Sequence, residues 1–410
     1  MTHQEIRRKF LEFFEKRGHK IVPSSSLLPD DPSVLFTTAG MQQFKKYYLN
    51  ADSPYGNRAA SIQKCIRTTD IDQVGDESHL TFFEMLGNFS FKFPEGEDSY
   101  FKEGAIKYGY DFIINELKIP LERIKISVFG GDPENNVPED RESLEIWKSL
   151  GISENKILFG DKKDNFWGPT GDEGPCGPTT EIYINDIEVW NLVFNEYYCD
   201  REKHLEPLER KGVDTGMGLE RLAMVSQGKR NIFDTDLFST IFELLPESLD
   251  IRLKRIIADH SRAIAFLISD GVRPSNKEQG YGLRRLIRRI IAYVYQKNIR
   301  TPVERILEAV VSEYKSIYSN LDFGHIKKVY DEEYAKFIKS VGLGIKELEK
   351  LETVDGESAF RLYESFGLPY ETIKEAAGDK AGSLTREAFD EEFKKHQKKS
   401  RAGAEKKFKK

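Results

Sequence analysis

The sequence predicts an α+β protein in which a strand-rich first part is followed by helices from about residue 235. Before that point, runs rich in β-branched and aromatic residues alternate with Gly- and Pro-containing turns. After it, apolar residues recur at helical spacing nearly throughout, including a long segment at about 324–351. We therefore expect a mixed domain over residues 1–235 and a helical domain over residues 236–410.

The composition is that of a globular protein. Of 410 residues, 39% are hydrophobic and 32% are charged, and no apolar run reaches membrane-spanning length. The first residues form a polar helix without an apolar signal region, so we expect a cytoplasmic location and no membrane contact. The three cysteines, Cys65, Cys176 and Cys199, lack CxxC spacing, which disfavours a disulfide scaffold and a protein-held metal site.

The first part begins with a capping box at Thr2 and Glu5, followed by apolar residues at helical spacing until Gly18 ends the helix. Further elements are expected in order along the chain. They are a short helix at 40–48, strands at 64–71 and 81–91 joined by an acidic loop, a helix at 97–117, a strand at 124–129 and a short helix before residue 151.

A long strand at 188–198 follows a short one at 181–184, and its side chains alternate. Trp190, Leu192 and Phe194 lie on one face, which we assign to the core. The other face carries Val189, Asn191, Val193 and Asn195, and this mixture of small apolar and amide side chains is typical of a pocket wall. A strand at 212–218 then leads into a helix at 219–225.

The stretch from Asp164 to Ile182 contains four glycines and three prolines after an aromatic pair that ends at Trp167. Prolines fix backbone angles and glycines let a ligand approach the main chain closely. We interpret the stretch as the rim of a ligand pocket; an ordinary surface loop is the alternative.

Two arginines are candidates for holding a phosphate chain. The sequence has no GxxxxGK[ST] loop, and Gly216-Met217-Gly218-Leu219-Glu220-Arg221 has Arg where a dinucleotide fingerprint has its third Gly. Arg67 on a strand and Arg221 in the first turn of a helix could bind phosphates from two sides, because guanidinium is always charged and bidentate. Each could instead be a surface residue in a salt bridge.

Several segments together resemble the alanyl-tRNA synthetases, a branch of the class II aminoacyl-tRNA synthetases. The matching segments are VPSSSL at 22–27 with LFTTAGMQQF at 35–44 (motif 1), CIRTTDID at 65–72 with HLTFFEMLGNFSF at 79–91 (motif 2), KGVDTGMGLER at 211–221 (motif 3) and the alanine-specific stretch at 167–178. The resemblance implies an antiparallel class II sheet that bears the active site.

The resemblance also implies roles at matching positions. Arg67 would hold the α-phosphate of ATP and the alanine carboxylate, and Arg221 would hold the far phosphates. Asp214 would bind the ammonium group of alanine. The remaining positions would be Met85 and Phe89 near adenine and ribose, Gly216 as space for the nucleotide, and Met41, Trp167, Asn191 and Val193 around the small side chain. ATP and Mg²⁺ would be required, and no side-chain nucleophile would be needed.

Two basic segments point to an RNA partner. Residues 251–300 hold 12 Lys and Arg against 3 Asp and Glu, and residues 394–410 hold 9 against 1. Helical spacing places Arg284, Arg285, Arg288 and Arg289 on one face, where contact with RNA phosphates or simple solvation is possible. The family pattern adds Asn276 and Glu364, the latter where Asp is usual, as readers of the acceptor-stem G·U pair of tRNA(Ala).

The activity expected from the resemblance is ligation of alanine to tRNA(Ala) through an alanyl-adenylate. A non-catalytic RNA-binding relative, or a ligase that passes activated alanine to another acceptor, is the alternative. No segment matches the family's editing domain, so we expect this chain to charge tRNA with serine and glycine as well. A pocket distinguishes one methylene by only ~1–3 kcal/mol.

Overall fold

The structure, a computed structural model, describes residues 1–49, 51–69, 71–299 and 303–396. A nine-stranded sheet dominates the first half of this described chain. Its strands are β1 (Lys20–Ile21), β2 (Arg58–Ile66), β3 (Phe82–Phe93), β4 (Ile124–Phe129), β5 (Ile157–Gly160), β6 (Phe166–Trp167), β7 (Gly174–Ile184), β8 (Ile187–Cys199) and β9 (Leu205–Gly218).

The strand order is β1-β2-β3-β9-β8-β7-β4-β5, and β6 pairs with β7 outside this path. The two outer pairs, β1 with β2 and β4 with β5, are parallel. All other pairs are antiparallel, including the central run from β2 to β7. The α+β class and the antiparallel sheet implied by the resemblance are therefore confirmed.

Helices accompany the sheet and then replace it. They are α1 (His3–Glu15), α2 (Lys102–Tyr110), α3 (Arg141–Ser149), α4 (Lys162–Asn165), α5 (Leu219–Ser226), α6 (Ser239–Leu244), α7 (Ile251–Ser269), α8 (Glu278–Gln296), α9 (Val303–Tyr314), α10 (Phe323–Lys350), α11 (Gly356–Phe366) and α12 (Tyr370–Ala377). A 3₁₀ helix spans Gly40–Tyr48, and a π-helical turn, Asp111–Glu116, extends α2. Within the described ranges, no helix has the length and apolar character needed to cross a membrane.

One face of the sheet is the core of the first half, as the alternation on β8 predicts. The Trp190 ring on β8 lies 6.2 Å from Phe10 of α1 and 5.8 Å from Phe112, measured between ring centroids. Leu192 and Phe194 are also fully buried. Because α1 and the extension of α2 cover this face, the side chains that alternate with these core residues belong to the opposite face.

The chain divides into two compact units. Unit 1 comprises Met1–Thr68 and Asp76–Thr240; unit 2 comprises Thr69–Gly75 and the chain from Ile241 onward. The segment Thr69–Gly75 thus departs from the sequence-based assignment of residues 1–235 to one domain. Its Val74 packs in an apolar cluster with Leu253, Ile256 and Tyr293, and this burial explains why the segment joins the helices.

Some strand boundaries predicted from the sequence are wrong. β2 spans Arg58–Ile66 and not 64–71, with the chain from Thr69 assigned to unit 2, and β7 begins at Gly174, well before the predicted residue 181. The Gly and Pro residues of 174–178 read as a turn, yet they pair with β8 through an irregular register between Cys176 and Thr179. Such bulges accommodate residues that a regular ladder excludes. Of the basic tail, residues 397–410 lie outside the described residues.

Candidate active site

The pairing of β3, β9 and β8 brings predicted site residues side by side. Asp214 on β9 is the partner of Phe89 on β3 and of Val193 on β8, and Gly216 is the partner of Asn191. Directly paired residues in a sheet lie on the same face. We call the face that carries these residues the site face; it is the one opposite the Trp190 core.

Asp214 is a buried carboxylate that has no partner among the residues that the structure describes. It is 5% exposed, and no side chain or backbone group in the described chain donates a hydrogen bond to it or pairs with it. Burial raises the pKa of its carboxyl to about 7. The nearby Tyr48 hydroxyl donates instead to the carbonyl oxygen of Val213, at 2.8 Å. Because an unpaired buried carboxylate is costly, Asp214 is suited to a cationic ligand.

An apolar cluster lies against the same residues. Met41 and Phe89 are fully buried in it, and the half-buried Met85 and Trp167 pack against it. Trp167 reaches the cluster from β6, which pairs with β7 at Gly177. The structure therefore brings together four of the side chains that the sequence analysis places around the substrate.

The Gly- and Pro-rich stretch is held in place. Nζ of Lys45 donates to the carbonyl oxygen of Thr170 and to Asp31, both at 2.8 Å. The Thr170 hydroxyl lies 3.8 Å from the sulfur of Met41. At Gly171, φ is +85°, and a Cβ would lie 2.4 Å from Oγ of Ser33. These contacts fix the stretch against the apolar cluster, as expected of a pocket rim.

Two of the predicted nucleotide positions, Gly216 and Phe89, pack against other side chains of unit 1. A Cβ on Gly216 would lie 2.8 Å from Sδ of Met85, so the missing side chain makes room for that methionine. Phe89 has no exposed surface, and its ring lies 4.4 Å from that of Phe44. Its ring forms part of the wall beside Asp214, and its place near adenine and ribose stays a prediction.

Arg67 is exposed immediately after β2. Its backbone N–H bonds to the carbonyl oxygen of Thr81 at 2.9 Å, which continues the sheet pairing by one residue. The guanidinium group lies 4.9 Å from the ring centroid of Phe83, and its Nη2 donates to the carbonyl oxygen of Thr38 at 3.4 Å. No carboxylate in the described ranges pairs with Arg67, so its charge is available to an anionic ligand.

Arg221 lies in the first turn of α5 and pairs with Glu188 of β8, with Nη1 3.0 Å from Oε2. Both line a cavity of about 340 Å³ together with Glu77 and Arg230. Of these cavity residues, Arg221 is predicted from the sequence, whereas Glu188 and Arg230 are not. The Lys229-Arg230 pair just beyond α5 was the available signal. Two guanidinium groups at one open cavity suit a polyphosphate.

The cavity near Arg221 also contains carboxylates, the side chains that bind Mg²⁺ in proteins. Mg²⁺ bound with nucleotides keeps several waters and takes only one or two protein carboxylates besides the phosphates. Two carboxylates, Glu188 and Glu77, line the cavity that holds Arg221, and Glu188 pairs with Arg221. The described residues contain no group of three or more His, Cys, Asp or Glu that could hold a metal by themselves.

The thiols are remote from solvent. Cys65, Cys176 and Cys199 are all buried. Burial raises the pKa of the Cys65 thiol well above its usual range and that of Cys176 to about 12. Since the thiolate is the nucleophile and metal ligand, both are poorly suited to covalent chemistry.

In unit 2, the arginine face of α8 is largely neutralised within the protein. Arg289 is fully buried, with Nη1 2.7 Å from the carbonyl oxygen of Ile71 and Nη2 2.8 Å from Glu375. The prediction that Arg289 contacts RNA phosphates conflicts with this position. Helical spacing placed it with the other arginines, but that part of the face is packed against protein.

The other three arginines are partly exposed and paired. Nε of Arg284 lies 3.2 Å and Nε of Arg288 2.7 Å from Oε1 of Glu333, and Arg285 pairs with Asp72 at 2.8 Å and with Glu371. Although burial opposes it, Arg285 and Arg386 hold the pKa of Glu371 well below its usual range. These arginines therefore stabilise unit 2, and only their exposed portions remain for an external anion.

The predicted base-pair readers are both exposed. Asn276 accepts a hydrogen bond from Arg284 just before α8. Glu364 on α11 pairs with His396, at 2.8 Å. Tyr281 of α8 and Tyr363 of α11 lie 6.4 Å apart between ring centroids, so the two helices meet next to Glu364.

Comparison with known proteins identifies the family. The family described as "tRNA synthetases class II (A)" matches residues 5–410. The chain belongs to this family. The class II synthetases it resembles in sequence include the alanine–tRNA ligases of Rubrobacter xylanophilus (41% identity; 99% of this chain and 50% of the relative) and Borreliella afzelii (41%; 100% and 74%). A third, from Thermotoga sp. strain RQ2, is 43% identical over 98% of this chain and 50% of its own length.

The chain spans about half the length of the Rubrobacter and Thermotoga relatives. Among solved structures, the pyrrolysyl-tRNA synthetase of Desulfitobacterium hafniense matches 57% of this chain and 72% of its own, with 13% identity and a TM-score of 0.35. The class II assignment therefore rests on the sequence matches.

Proposed function

We propose that this chain activates alanine with ATP and transfers it to tRNA(Ala). The observation that carries the proposal is Asp214, a buried carboxylate that lies directly beside Val193 and has no partner in the described part of the chain. A site for a small zwitterion needs one negative anchor next to a confined apolar space, and this pair provides both. The names of the relatives, all alanine–tRNA ligases, support the same substrate.

In the proposed complex, the ammonium group of alanine binds Asp214 and its carboxylate approaches Arg67. The methyl group lies against Val193, with Trp167 and Met41 closing the apolar side. This arrangement holds the attacking carboxylate oxygen in place before ATP reacts. Positioning of two reactants in this way accounts for much of the rate enhancement in group-transfer enzymes.

ATP occupies the cavity near Arg221 in this proposal. Arg67 holds the α-phosphate, Arg221 and Arg230 hold the far phosphates, and Met85 lies near adenine and ribose. Arg221 pairs with Glu188. When the phosphates bind Arg221 they displace this ion pair, and Glu188 then becomes free to bind Mg²⁺. Bound Mg²⁺ would neutralise phosphate charge, with Glu188 and Glu77 as its protein ligands.

The proposed reaction begins with attack of the alanine carboxylate oxygen on the α-phosphorus. The bond to the bridging oxygen breaks and pyrophosphate leaves, while Arg67 and Arg221 balance the negative charge. The terminal ribose hydroxyl of tRNA then attacks the activated carbonyl and AMP departs. Buried thiols take no part in either step.

The proposed nucleic-acid partner is the acceptor stem of tRNA(Ala), with the cytoplasm as the compartment. Asn276 and Glu364 are available for base contacts because both are exposed. Arg284, Arg285 and Arg288 contribute through the parts of their side chains that internal ion pairs leave accessible. Contacts to phosphates position the RNA, and contacts to bases select it.

Alanine-dependent exchange of pyrophosphate into ATP tests this function, followed by charging of tRNA(Ala). We expect both activities. Exchange without charging would indicate a different acceptor for activated alanine. Absence of exchange, with retained binding of tRNA, would indicate an RNA-binding relative without catalysis.

A further inference from the structure

Asn191 lies on the site face with only one of its two amide atoms satisfied. Its Nδ2 donates to Oε1 of Glu181 at 3.3 Å, across the β7–β8 pair in which the two residues are partners. Its Oδ1 is buried and has no hydrogen-bond partner among the residues that the structure describes. A buried acceptor without a donor costs roughly 1–3 kcal/mol, so a group from a ligand is expected to satisfy it.

Glu181 is itself held firmly. Its Oε2 accepts hydrogen bonds from the hydroxyl of Ser127 at 3.0 Å and from that of Tyr183 at 2.6 Å. Nδ2 of Asn165 donates to the same Ser127 oxygen at 2.7 Å. Three strands, β4, β7 and β8, therefore contribute to one buried chain of polar contacts that ends at Asn191.

The chemistry of Glu181 decides how the Asn191 amide is turned. Both oxygens of Glu181 act as acceptors, Oε2 for the two hydroxyls and Oε1 for Asn191, so Asn191 directs its NH₂ group toward Glu181. Its carbonyl oxygen then lies on the other side of the amide, away from Glu181. Because Asn191 is the partner of Gly216 and Val193 that of Asp214, this amide is a diagonal neighbour of the buried carboxylate.

We propose that Glu181 is a positioning residue for amino-acid binding. It holds the Asn191 amide so that Oδ1, together with Asp214, accepts hydrogen bonds from the substrate ammonium group. This proposal rests on the proposed function, because it takes a zwitterionic amino acid as the ligand. Glu181 acts through Asn191 and does not touch the substrate.

The test is a mutant cycle measured by amino-acid-dependent ATP–pyrophosphate exchange. Glu181→Met removes the acceptor at similar size, and Glu181→Gln keeps one acceptor oxygen. Asn191→Ala removes the proposed ligand, and the double variant Glu181→Met/Asn191→Ala tests whether the two act as one. Asp186→Asn is a matched control, because this carboxylate follows β7 but is exposed and pairs with Lys125 at the surface.

We expect Glu181→Met to raise the KM for alanine about tenfold, the equivalent of one hydrogen bond to a charged group, with less than about a twofold change in kcat. The KM for ATP should not change, and Glu181→Gln should recover most of the loss. The double variant should be no worse than Asn191→Ala alone, because residues that act through one another are not additive.

Three results would overturn the proposal while the wild type is active. They are an unchanged alanine KM in Glu181→Met, effects of the two substitutions that add fully, and a failure of Glu181→Gln to recover activity. If Glu181→Met does not fold, Tyr183→Phe replaces it, with an expected rise of about two- to threefold in alanine KM and no rise as the contrary result. A wild type without exchange would instead refute the proposed function.

Discussion

Asp214 on β9 and Val193 on β8 are direct cross-strand partners. A buried carboxylate and a branched apolar side chain therefore lie next to each other on the site face. Neighbours of this kind have Cβ atoms about 5 Å apart. The charge of a small ligand would thus be recognised by Asp214 and its size by the adjacent Val193.

Removal of the carboxylate should abolish amino-acid activation. We expect Asp214→Ala to lower kcat/KM for alanine about 100-fold or more, because the ammonium group would then be buried without a counter-charge. ATP–pyrophosphate exchange measures this. Asp52→Asn is a suitable control, since that carboxylate is 94% exposed. Near-normal activity of Asp214→Ala would show that the ammonium group binds elsewhere.

Alanine activation should depend on pH through Asp214. Burial raises the pKa of this carboxyl to about 7, so the free site is largely neutral at pH 6 and charged at pH 8. The ammonium group of alanine stays charged over this range. We expect kcat/KM for alanine to rise about tenfold per pH unit below 7 and to level off above it. A flat profile between pH 5.5 and 8 would contradict the assignment.

The same carboxylate should make the fold less stable as pH rises. Its folded-state pKa lies above the ordinary value of 3.8, so the native chain keeps a proton that the unfolded chain has lost. The protonated carboxyl therefore contributes about 4 kcal/mol to the free energy of unfolding, relative to the ionised carboxylate. This stabilisation is fully present below pH 3.8 and is lost as pH rises through 7.

Urea unfolding of Asp214→Asn and wild type at pH 5 and pH 8 measures this difference. The variant cannot ionise, so its gain in stability over wild type should be larger at pH 8. An equal difference at both values would mean that the carboxylate is not desolvated in solution.

Val193 should discriminate poorly between alanine and amino acids of similar size. A hydrophobic wall distinguishes one methyl group by only ~1–3 kcal/mol, so we expect glycine and serine to support exchange at kcat/KM values roughly 10- to 200-fold below that of alanine. Exchange with each amino acid at high concentration measures this, followed by an assay for seryl- and glycyl-tRNA. Undetectable exchange with both would show that further groups enforce selectivity.

Substitutions of Arg289 and Arg284 should have different effects on thermal stability and on RNA binding. Arg289→Gln removes a fully buried charge that pairs with Glu375, so we expect a clear fall in Tm and an unchanged salt dependence of tRNA affinity. Arg284→Gln should lower Tm less and reduce the slope of log Kd against log salt by about one. A reduced slope for Arg289→Gln would mean that unit 2 opens when RNA binds.

Sequence patterns predicted the local structure well where one signal dominated. The capping box of Thr2 and Glu5 begins α1 as expected, and the alternation along β8 separates the Trp190 core from the site face. They predicted less well where Gly and Pro form a strand, as in β7. There the pairing with β8 outweighs the turn propensity of the residues.

By itself, the sequence determined the fold class, the motifs and the candidate residues, because periodicity and spacing are local properties of the chain. Only the tertiary structure decided which of these residues meet a partner. It buried Arg289, it left Asp214 without a counter-ion among the described residues, and it placed Glu181 against Asn191. Helical or strand spacing defines the face on which a side chain lies, but long-range packing determines what covers that face and hence its charge and orientation.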